Sequence, residues 1–146
     1  MPDPSVIRAN DGYFYLYATQ TKTYWMPVYR SKDLVNWEYQ GTAFNKATEP
    51  DLPGGGAFWA PEIRFLNGKY VLYYSWAKMN GADISYTAVA VGDTPMGPFL
   101  DSKELIGNKE FGSNCIDQFY YEEDGKKYMF FGSFKGIYVT ELEDDG

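Results

Sequence analysis

Two aspartates stand at matching places in the chain, and their side chains could transfer protons. Asp3 directly precedes the predicted strand Ser5–Ala9, and Asp117 opens the predicted strand Asp117–Glu122. Carboxyl groups act as general acids or bases when they are held against a substrate. Because we predict both strands to be the innermost strands of a repeated unit, we expect the two side chains to converge. Two carboxylates between aromatic walls are typical of a pocket that cleaves sugars.

The unit that positions these aspartates is a β-hairpin that occurs three times. Alternating, aromatic-rich runs flank the dipeptides Asp11-Gly12, Asn67-Gly68 and Asp124-Gly125, which favour tight hairpin turns. The turns lie 56 and 57 residues apart, a period that indicates four-stranded sheets repeated around an axis. The sequence therefore predicts an all-β fold, a β-propeller of four-stranded antiparallel blades.

The repeats divide the chain into one partial propeller domain, 1–146. Blade one is predicted at 1–50, blade two at 57–107 and an incomplete blade three at 114–146. Closed propellers usually have four to eight blades, whereas eleven predicted strands make about three blades, the last one strand short. An open arc leaves apolar faces bare. We therefore predict that the chain is part of a longer protein, or that it associates to cover these faces.

Composition excludes several classes of function. The 146 residues carry a net charge of −7 with no basic cluster, which argues against nucleic acid as a partner. The chain contains no histidine, so histidine-based triads and the common zinc sites are excluded. Cys115 is the single cysteine and forms no internal disulfide. No run of residues is apolar enough for a membrane span, so no membrane partner is expected.

The aromatic residues are predicted to serve two purposes. Most Tyr and Phe side chains of the alternating strands should form the core between blades. Trp59 begins the inner strand of blade two, between the two aspartates in blade order, where a flat ring could stack on a sugar. Phe58 and Trp25 are further candidates for substrate binding. Glu62 follows Trp-Ala-Pro, and we expect it to support the edge of the pocket rather than to act as an acid.

Taken in chain order, these motifs resemble glycoside hydrolase family 43. The likeness rests on 3–7 (Asp-Pro-Ser-Val-Ile), 31–37 (Ser-Lys-Asp-Leu-Val-Asn-Trp), 59–62 (Trp-Ala-Pro-Glu), 116–117 (Ile-Asp) and 132–134 (Gly-Ser-Phe). The resemblance implies a five-bladed β-propeller that hydrolyses arabinose- or xylose-containing polysaccharides with inversion. It implies that Asp3 is the general base, and that Asp117 raises the pKa of the general acid and orients it. It implies no required cofactor and no metal ligands among these residues, and leaves a structural calcium ion in the channel open.

The chain departs from the family pattern at the general acid. The family places a glutamate on a later blade, and nothing after Asp117 matches that stretch. We therefore expect the acid outside this chain, and the chain alone to be weakly active or inactive. Residues 1–3 lack the features of a secretory signal, so Met1 is expected to be an artificial or processed start. By resemblance, the parent protein is expected to be secreted or periplasmic.

Three interpretations of function remain at this stage. The tract 132–138 favours arabinan-active members, which predicts action on α-L-arabinofuranosyl linkages of arabinan or arabinose-bearing plant polysaccharide. A β-xylosidase of the same family is the main alternative for the substrate. A non-catalytic carbohydrate-binding propeller shares every aromatic feature, and a propeller that binds proteins is a third class. The fructan-cleaving sibling family usually has Asn before its Asp-Pro pair, where this chain has Pro2.

Overall fold

The computed structural model describes residues 1–53, 56–78, 85–111 and 114–146, and its strands form three antiparallel sheets. In the first sheet, each strand pairs with the strand that follows it in the chain. Its strands are β1 (Ser5–Arg8), β2 (Phe14–Tyr17), β3 (Pro27–Ser31) and β4 (Glu38–Thr42). A register shift between Val28 and Tyr29 interrupts the pairing of β3 with β4.

The second sheet repeats this order with longer strands, and the third has three strands. The second sheet consists of β5 (Ala57–Leu66), β6 (Lys69–Ala77), β7 (Ser85–Gly92) and β8 (Leu100–Ile106). A short helix, α1 (Asn108–Phe111), follows it. The third sheet consists of β9 (Phe119–Glu123), β10 (Lys126–Ser133) and β11 (Gly136–Leu142), with β10 in the middle.

Two of the three inner hairpins close with the turn that their sequence predicts. Asn67 and Gly68 have φ values of 50° and 80°, and Asp124 and Gly125 have values of 51° and 77°. Both residues of each turn therefore lie in the left-handed region, which a two-residue type I′ turn requires. This conformation explains why each turn ends in glycine.

The first hairpin has a longer loop than its Asp11-Gly12 dipeptide suggests. The Gly12 N–H donates to the Ala9 carbonyl over 3.0 Å, and the Ala9 N–H donates to the Tyr13 carbonyl over 2.8 Å. These bonds close a three-residue loop in which Gly12 alone has a positive φ. The Asp11 carboxylate accepts from the Tyr13 N–H and the Tyr15 hydroxyl, which holds the loop in place.

The main core lies between the first and second sheets and is rich in aromatic rings. Phe58 stacks on Phe44 with their ring centres 4.4 Å apart, and Trp76 meets Phe58 edge-on. Other members of this core include Tyr15, Tyr17, Met26, Val28, Ile63, Leu72, Tyr74 and Phe99. The prediction that Tyr and Phe side chains of the strands pack between the sheets is confirmed for these residues.

A second core lies between the second and third sheets. Its fully buried side chains include Tyr73, Met129 and Cys115, and Phe111 of α1 packs against them. The burial of Cys115 agrees with its prediction as a packed residue. These contacts fix the third sheet against the second and so place Asp117 relative to the rest of the chain.

One face of the third sheet is bare. Phe119, Ile137 and Val139 lie on this face and are 53%, 68% and 55% exposed. Phe119 and Val139 both pair with Phe130, which places them on one side of the sheet. The first sheet exposes Val6 on its side away from the core, with 39% of its surface accessible. Apolar residues on strand faces normally pack against a neighbouring layer.

The predicted all-β class and the four-stranded antiparallel sheets are confirmed, and the eleven described strands match the predicted ones to within a few residues. The helix α1 was not predicted. The alternation of the sequence predicts that β7 begins at Ile84, which lies outside the described residues, as do Gly54 and Gly55 of the connection predicted between blades one and two. The division of the chain into blades at 1–50, 57–107 and 114–146 stays a prediction.

Candidate active site

The two candidate aspartates share an uncommon backbone conformation with a third residue, Ala60. Their φ values are 50° for Asp3, 34° for Ala60 and 58° for Asp117. Ala60 lies 57 residues after Asp3 and 57 residues before Asp117, so each sheet has one such residue at its inner strand. Left-handed backbone costs energy for a residue with a Cβ atom, and such strain often marks functional sites. The chain therefore repeats one local geometry and places a carboxylate there in two of three sheets.

A hydroxyl group of the preceding sheet holds this conformation in two places. The Ala60 N–H donates to Thr19 Oγ1 over 2.7 Å, and the Asp117 N–H donates to Ser75 Oγ over 2.9 Å. Thr19 follows β2 by two residues and Ser75 lies two residues before the end of β6, and both come seven residues after the glycine of their hairpin turn. Each hydroxyl satisfies a backbone donor that faces it from the next sheet, which compensates for the strain.

Asp3 is exposed, and its carboxylate has one close partner. Thr19 Oγ1 lies 2.7 Å from Asp3 Oδ2, the distance of a strong hydrogen bond to a charged acceptor. The opposite side of the same hydroxyl binds the Ala60 N–H, as described above. Asp3 is thereby connected to the inner strands of both the first and the second sheet.

Asp117 has an exposed surface, yet its carboxyl group is partly desolvated by its neighbours. This desolvation raises the pKa of Asp117, and the negative charge of Asp3 raises it further. The charge of Asp3 thus acts on the carboxyl group of Asp117. Repulsion between like charges disfavours ionisation of Asp117 while Asp3 is charged.

Gln118 fixes the chain beside Asp117. Its side chain is buried; it accepts a hydrogen bond from Ser75 Oγ over 3.0 Å and donates one to the Ala60 carbonyl. Ser75 thus holds both the backbone of Asp117 and the side chain of Gln118. Through these bonds the start of the third sheet is tied to the bulge at Ala60 in the second sheet.

Glu62 is a buried carboxylate at the junction of all three sheets. It accepts hydrogen bonds from the Ser5 hydroxyl over 3.1 Å and from the Tyr120 N–H over 3.4 Å, and it forms an ion pair with Arg64. Burial raises the pKa of Glu62, and Arg64 and the two hydrogen bonds oppose the rise. Glu62 therefore binds the inner strands to one another from inside the protein, which accords with a supporting residue.

The three aromatic candidates lie in different surroundings. Trp59 is half-buried, and its indole N–H is buried without a hydrogen-bond partner within the described parts of the chain. Phe58 is 2% exposed and stacks in the core between the sheets. Trp25 is half-buried and packs on Phe58 with ring centres 6.1 Å apart. Direct contact of Phe58 with a ligand is therefore not supported, because its ring is enclosed by the core.

Thr19, Ser75 and Gln118 were not singled out from the sequence. A signal was present, because Thr19 and Ser75 lie 56 residues apart and each closely follows an aromatic-rich run. Each also lies in the second strand of a predicted hairpin. Alignment of the three hairpins would have paired the two hydroxyl residues, although not the side chains they bind.

The described residues contain no group of three or more Asp, Glu, His or Cys side chains that could hold a metal ion. Within the same parts of the chain, no helix has the length and hydropathy needed to span a membrane. The hydrogen bonds of Thr19, Ser75 and Gln118 link the backbone around Asp3, Ala60 and Asp117.

Known proteins of one family are similar to this chain. The sequence profile of glycosyl hydrolases family 43 matches residues 1–146. The chain is 28% identical to extracellular endo-α-(1->5)-L-arabinanase 1 of Bacillus subtilis, over 97% of this chain and 46% of that protein. It is 29% identical to a β-xylosidase of Bacillus subtilis, over 98% of this chain and 28% of that protein.

A solved structure extends the likeness to the fold. The α-L-arabinanase of Cellvibrio cellulosa, complexed with arabinohexaose, superposes with a TM-score of 0.75 at 31% identity. The match covers 99% of this chain and 48% of the arabinanase. The chain thus spans about half the length of this relative.

Proposed function

Since the chain belongs to glycosyl hydrolases family 43, we propose that it supplies the base-bearing part of an inverting glycosidase for α-L-arabinofuranosyl linkages. The observation that carries this proposal is the pair Asp3 and Asp117. Both stand in the same left-handed conformation at the inner strands, and the charge of Asp3 raises the pKa of Asp117. Each blade thus contributes one residue to a common site at the propeller axis.

In the proposed reaction, ionised Asp3 accepts a proton from a water molecule while the water oxygen forms a bond to the anomeric carbon. The bond from that carbon to the leaving oxygen breaks at the same time, and the leaving oxygen takes a proton from a general acid. In inverting enzymes the two carboxyl groups stand about 6.5–9.5 Å apart, which leaves room for the water. The general acid is a glutamate that lies beyond this chain.

Asp117 is proposed to act on that acid through its charge. A carboxylate close to a second carboxyl group disfavours ionisation of the second group and raises its pKa. The Ser75 hydroxyl fixes the backbone of Asp117, and Gln118 fixes the following residue. Asp117 is thereby held in one place, from which it can orient the acid.

Trp59 is proposed to bind the apolar face of a sugar ring. It lies next to Ala60, whose backbone binds both Thr19 and Gln118. Ala60 carries a small side chain at the position where its equivalents in the other sheets carry Asp. A ring stacked on Trp59 would then lie beside the carboxylate of Asp3.

We propose that this chain is the amino-terminal part of a longer glycosidase. The third sheet has three strands, and β11 forms its edge. Beside β11 lies a groove of about 550 Å³, whose lining includes the apolar residues Val89, Leu105 and Leu142 and the charged residues Asp101, Lys103 and Glu141. A fourth strand would cover this groove, and a further blade would cover Phe119, Ile137 and Val139.

The isolated chain is accordingly expected to hydrolyse arabinan negligibly and to self-associate through its bare faces. Loss of a general acid lowers the rate about 100- to 10,000-fold. An intact mass of the native protein well above the 16.7 kDa of this chain supports the longer protein. Rapid hydrolysis of an aryl arabinofuranoside by the isolated chain, or a monodisperse monomer in sedimentation, contradicts the proposal.

The proposed substrate is the arabinan or arabinose-bearing polysaccharide of plants. The arabinanase of Bacillus subtilis is named extracellular. Polysaccharide substrates are encountered outside the cell, so we propose that the longer protein is secreted. The similarity to a β-xylosidase at 29% identity supports xylosides as the second candidate substrate. No cofactor takes part in the proposed hydrolysis.

The test compares the longer protein with its Asp3→Asn variant on linear arabinan and on an aryl β-xyloside. Asparagine retains an oxygen for the Thr19 hydroxyl but is a very weak base. We expect faster hydrolysis of arabinan than of the xyloside, and a loss of at least about 100-fold in the variant. Calorimetry should show nearly unchanged binding of arabino-oligosaccharides. Unchanged hydrolysis by the variant refutes Asp3 as base, and binding without hydrolysis by the unaltered protein indicates a carbohydrate-binding propeller.

A further inference from the structure

We propose that Thr19 is a positioning residue for Asp3, whose hydroxyl group determines which carboxylate oxygen faces the attacking water. The proposal rests on the proposed function of Asp3 as general base. Asp3 is exposed, and its side chain would otherwise turn freely about two single bonds. A general base must hold its acceptor oxygen within hydrogen-bond reach of one water molecule.

Thr19 contacts both Asp3 and the residue before it. Its N–H donates to the Pro2 carbonyl over 3.2 Å, and its Oγ1 lies 2.7 Å from Asp3 Oδ2. Its backbone and its side chain therefore act on adjacent residues. This double contact fixes the hydroxyl relative to Asp3 before any substrate binds.

The direction of the hydrogen bond follows from a count of protons. A threonine hydroxyl has one proton and can accept through its oxygen. The Ala60 N–H can only donate, and it does so to Thr19 Oγ1 over 2.7 Å. The hydroxyl proton is consequently free to point at Asp3 Oδ2. The Ala60 N–H thus donates to Thr19, and the Thr19 hydroxyl donates to Asp3.

This arrangement assigns different tasks to the two oxygens of Asp3. Oδ2 accepts the Thr19 proton, so Oδ1 is left to accept the proton of the water. The same hydroxyl fixes the base relative to Ala60 and hence to the neighbouring Trp59, the proposed sugar platform. A displacement of a reacting group by about 1 Å can lower a rate about 100-fold.

The equivalent hydroxyl in the second sheet makes a different bond with its proton. Ser75 Oγ accepts the Asp117 N–H over 2.9 Å, as Thr19 accepts the Ala60 N–H, but it donates to the neutral amide oxygen of Gln118. The contact between sheets is therefore common to both positions. Of the two hydroxyl groups, that of Thr19 donates to a carboxylate. The effect of Thr19 on Asp3 can therefore be separated from its role in connecting two sheets.

The test measures kcat and KM for arabinan in the longer protein with Thr19→Val, Thr19→Ser and the control Thr42→Val. Thr42 lies on the outer strand β4 and donates to the Phe44 carbonyl over 2.7 Å, so the control also removes one threonine hydroxyl bond. We expect Thr19→Val to lower kcat about 10- to 100-fold with KM changed less than about threefold. Thr19→Ser should restore kcat to within a few-fold, and Thr42→Val should leave it unchanged.

A double-mutant cycle with Asp3→Asn separates positioning from a general loss of structure. If Thr19 acts through Asp3, Thr19→Val causes no further loss in the Asp3→Asn background. Equal losses in both backgrounds, or a folded Thr19→Val protein with unchanged kcat, overturn the proposal. If Thr19→Val does not fold, Thr19→Ala is measured in the same cycle. Full activity of Asp3→Asn instead overturns the proposed function itself, which distinguishes the two failures.

Discussion

The carboxylate of Glu62 accepts a hydrogen bond from the hydroxyl of Ser5 across the boundary between the first and second sheets, over 3.1 Å. Ser5 and Glu62 occupy equivalent positions of their inner strands, 57 residues apart. Ser5 lies two residues after Asp3, so the bond ties the strand of the candidate base to the second sheet. The Tyr120 N–H extends the connection to the strand that follows Asp117.

Replacement of Glu62 by glutamine should destabilise the fold. The change removes the negative charge that pairs with Arg64. It also leaves one acceptor oxygen where the carboxylate has two, so the side chain no longer accepts in the same way from both the Ser5 hydroxyl and the Tyr120 N–H. A lost partner in a buried ion pair costs about 3–5 kcal/mol, and we expect about 1–3 kcal/mol because the Arg64 side chain is 30% exposed. Urea unfolding of the longer protein gives the difference in the free energy of unfolding.

The matched control is Glu38→Gln. Glu38 pairs with Arg30 at 3.3 Å on the surface, where the two side chains are 69% and 36% exposed. Exposed pairs contribute less than about 1 kcal/mol. Equal effects of the two substitutions would show that Glu62 is no more than a surface ion pair.

The pKa of Asp117 should fall when Asp3 is replaced by asparagine. Burial is the main cause of the raised pKa and remains, but the negative charge of Asp3, the second cause, is removed. Carboxyl carbon NMR of the longer protein, followed through a pH titration, measures the shift. Asp51→Asn removes an equal charge from another exposed position and should leave the pKa of Asp117 unchanged. An unchanged pKa in Asp3→Asn would disprove the coupling.

The same pair affects stability as the pH rises. A carboxyl whose pKa is raised by folding contributes stability that is complete below the unfolded pKa of about 3.9 and is lost as the pH rises through the folded pKa. Asp3→Asn should reduce this loss, because it lowers the folded pKa of Asp117.

The hairpins and the two aspartates could be predicted from the sequence because both depend on local chemistry. Asn67-Gly68 and Asp124-Gly125 favour the left-handed backbone of a tight turn, and the alternation of apolar and polar residues predicts the strands beside them. The partners of Thr19 could not be predicted in this way. They lie on another sheet, and only the packing of the sheets brings Ala60 and Asp3 to one hydroxyl.

Trp59 should contribute to sugar binding more than to stability. In the Asp3→Asn longer protein, Trp59→Ala should weaken binding of arabino-oligosaccharides about tenfold, or about 1.4 kcal/mol. Isothermal calorimetry measures the affinity. The control is Trp37→Ala. The indole N–H of Trp37 donates to the Leu34 carbonyl in the loop 31–37. The control variant should bind arabino-oligosaccharides as tightly as the Asp3→Asn protein. Equal affinities of all three proteins would exclude Trp59 as a sugar platform.

Phe58 illustrates what strand geometry adds to sequence. Successive side chains of a strand point to opposite faces, so Phe58 and its neighbour Trp59 are not expected to line the same pocket. The structure turns Phe58 to the core, where it stacks on Phe44. Composition alone identifies both as large aromatic residues and does not decide which of them faces the interior.

The loop 31–37 should become less ordered in acid. The Asp33 carboxylate accepts hydrogen bonds from the N–H groups of Val35 and Asn36, from the Asn36 side chain and from the Ser31 hydroxyl. These bonds, chiefly those from Asn36, lower the pKa of Asp33. Its stabilising effect is therefore complete above about pH 4 and is lost as the pH falls through the folded pKa.

Amide chemical shifts of Val35 and Asn36 should follow this titration in the isolated chain. Asp33→Asn should abolish the pH dependence of these shifts, since asparagine carries no titrating proton. A midpoint at or above the ordinary aspartate pKa of about 3.9 would contradict the role given to these hydrogen bonds.

The most direct test of Asp3 as a base that acts through water is the anomeric form of the first product. The longer protein is mixed with an α-L-arabinofuranoside in an NMR tube, and the anomeric proton is recorded before mutarotation. Inversion through an activated water predicts that β-arabinofuranose appears first. Initial release of the α-anomer would mean that a carboxylate attacks the sugar directly, and it would contradict this account.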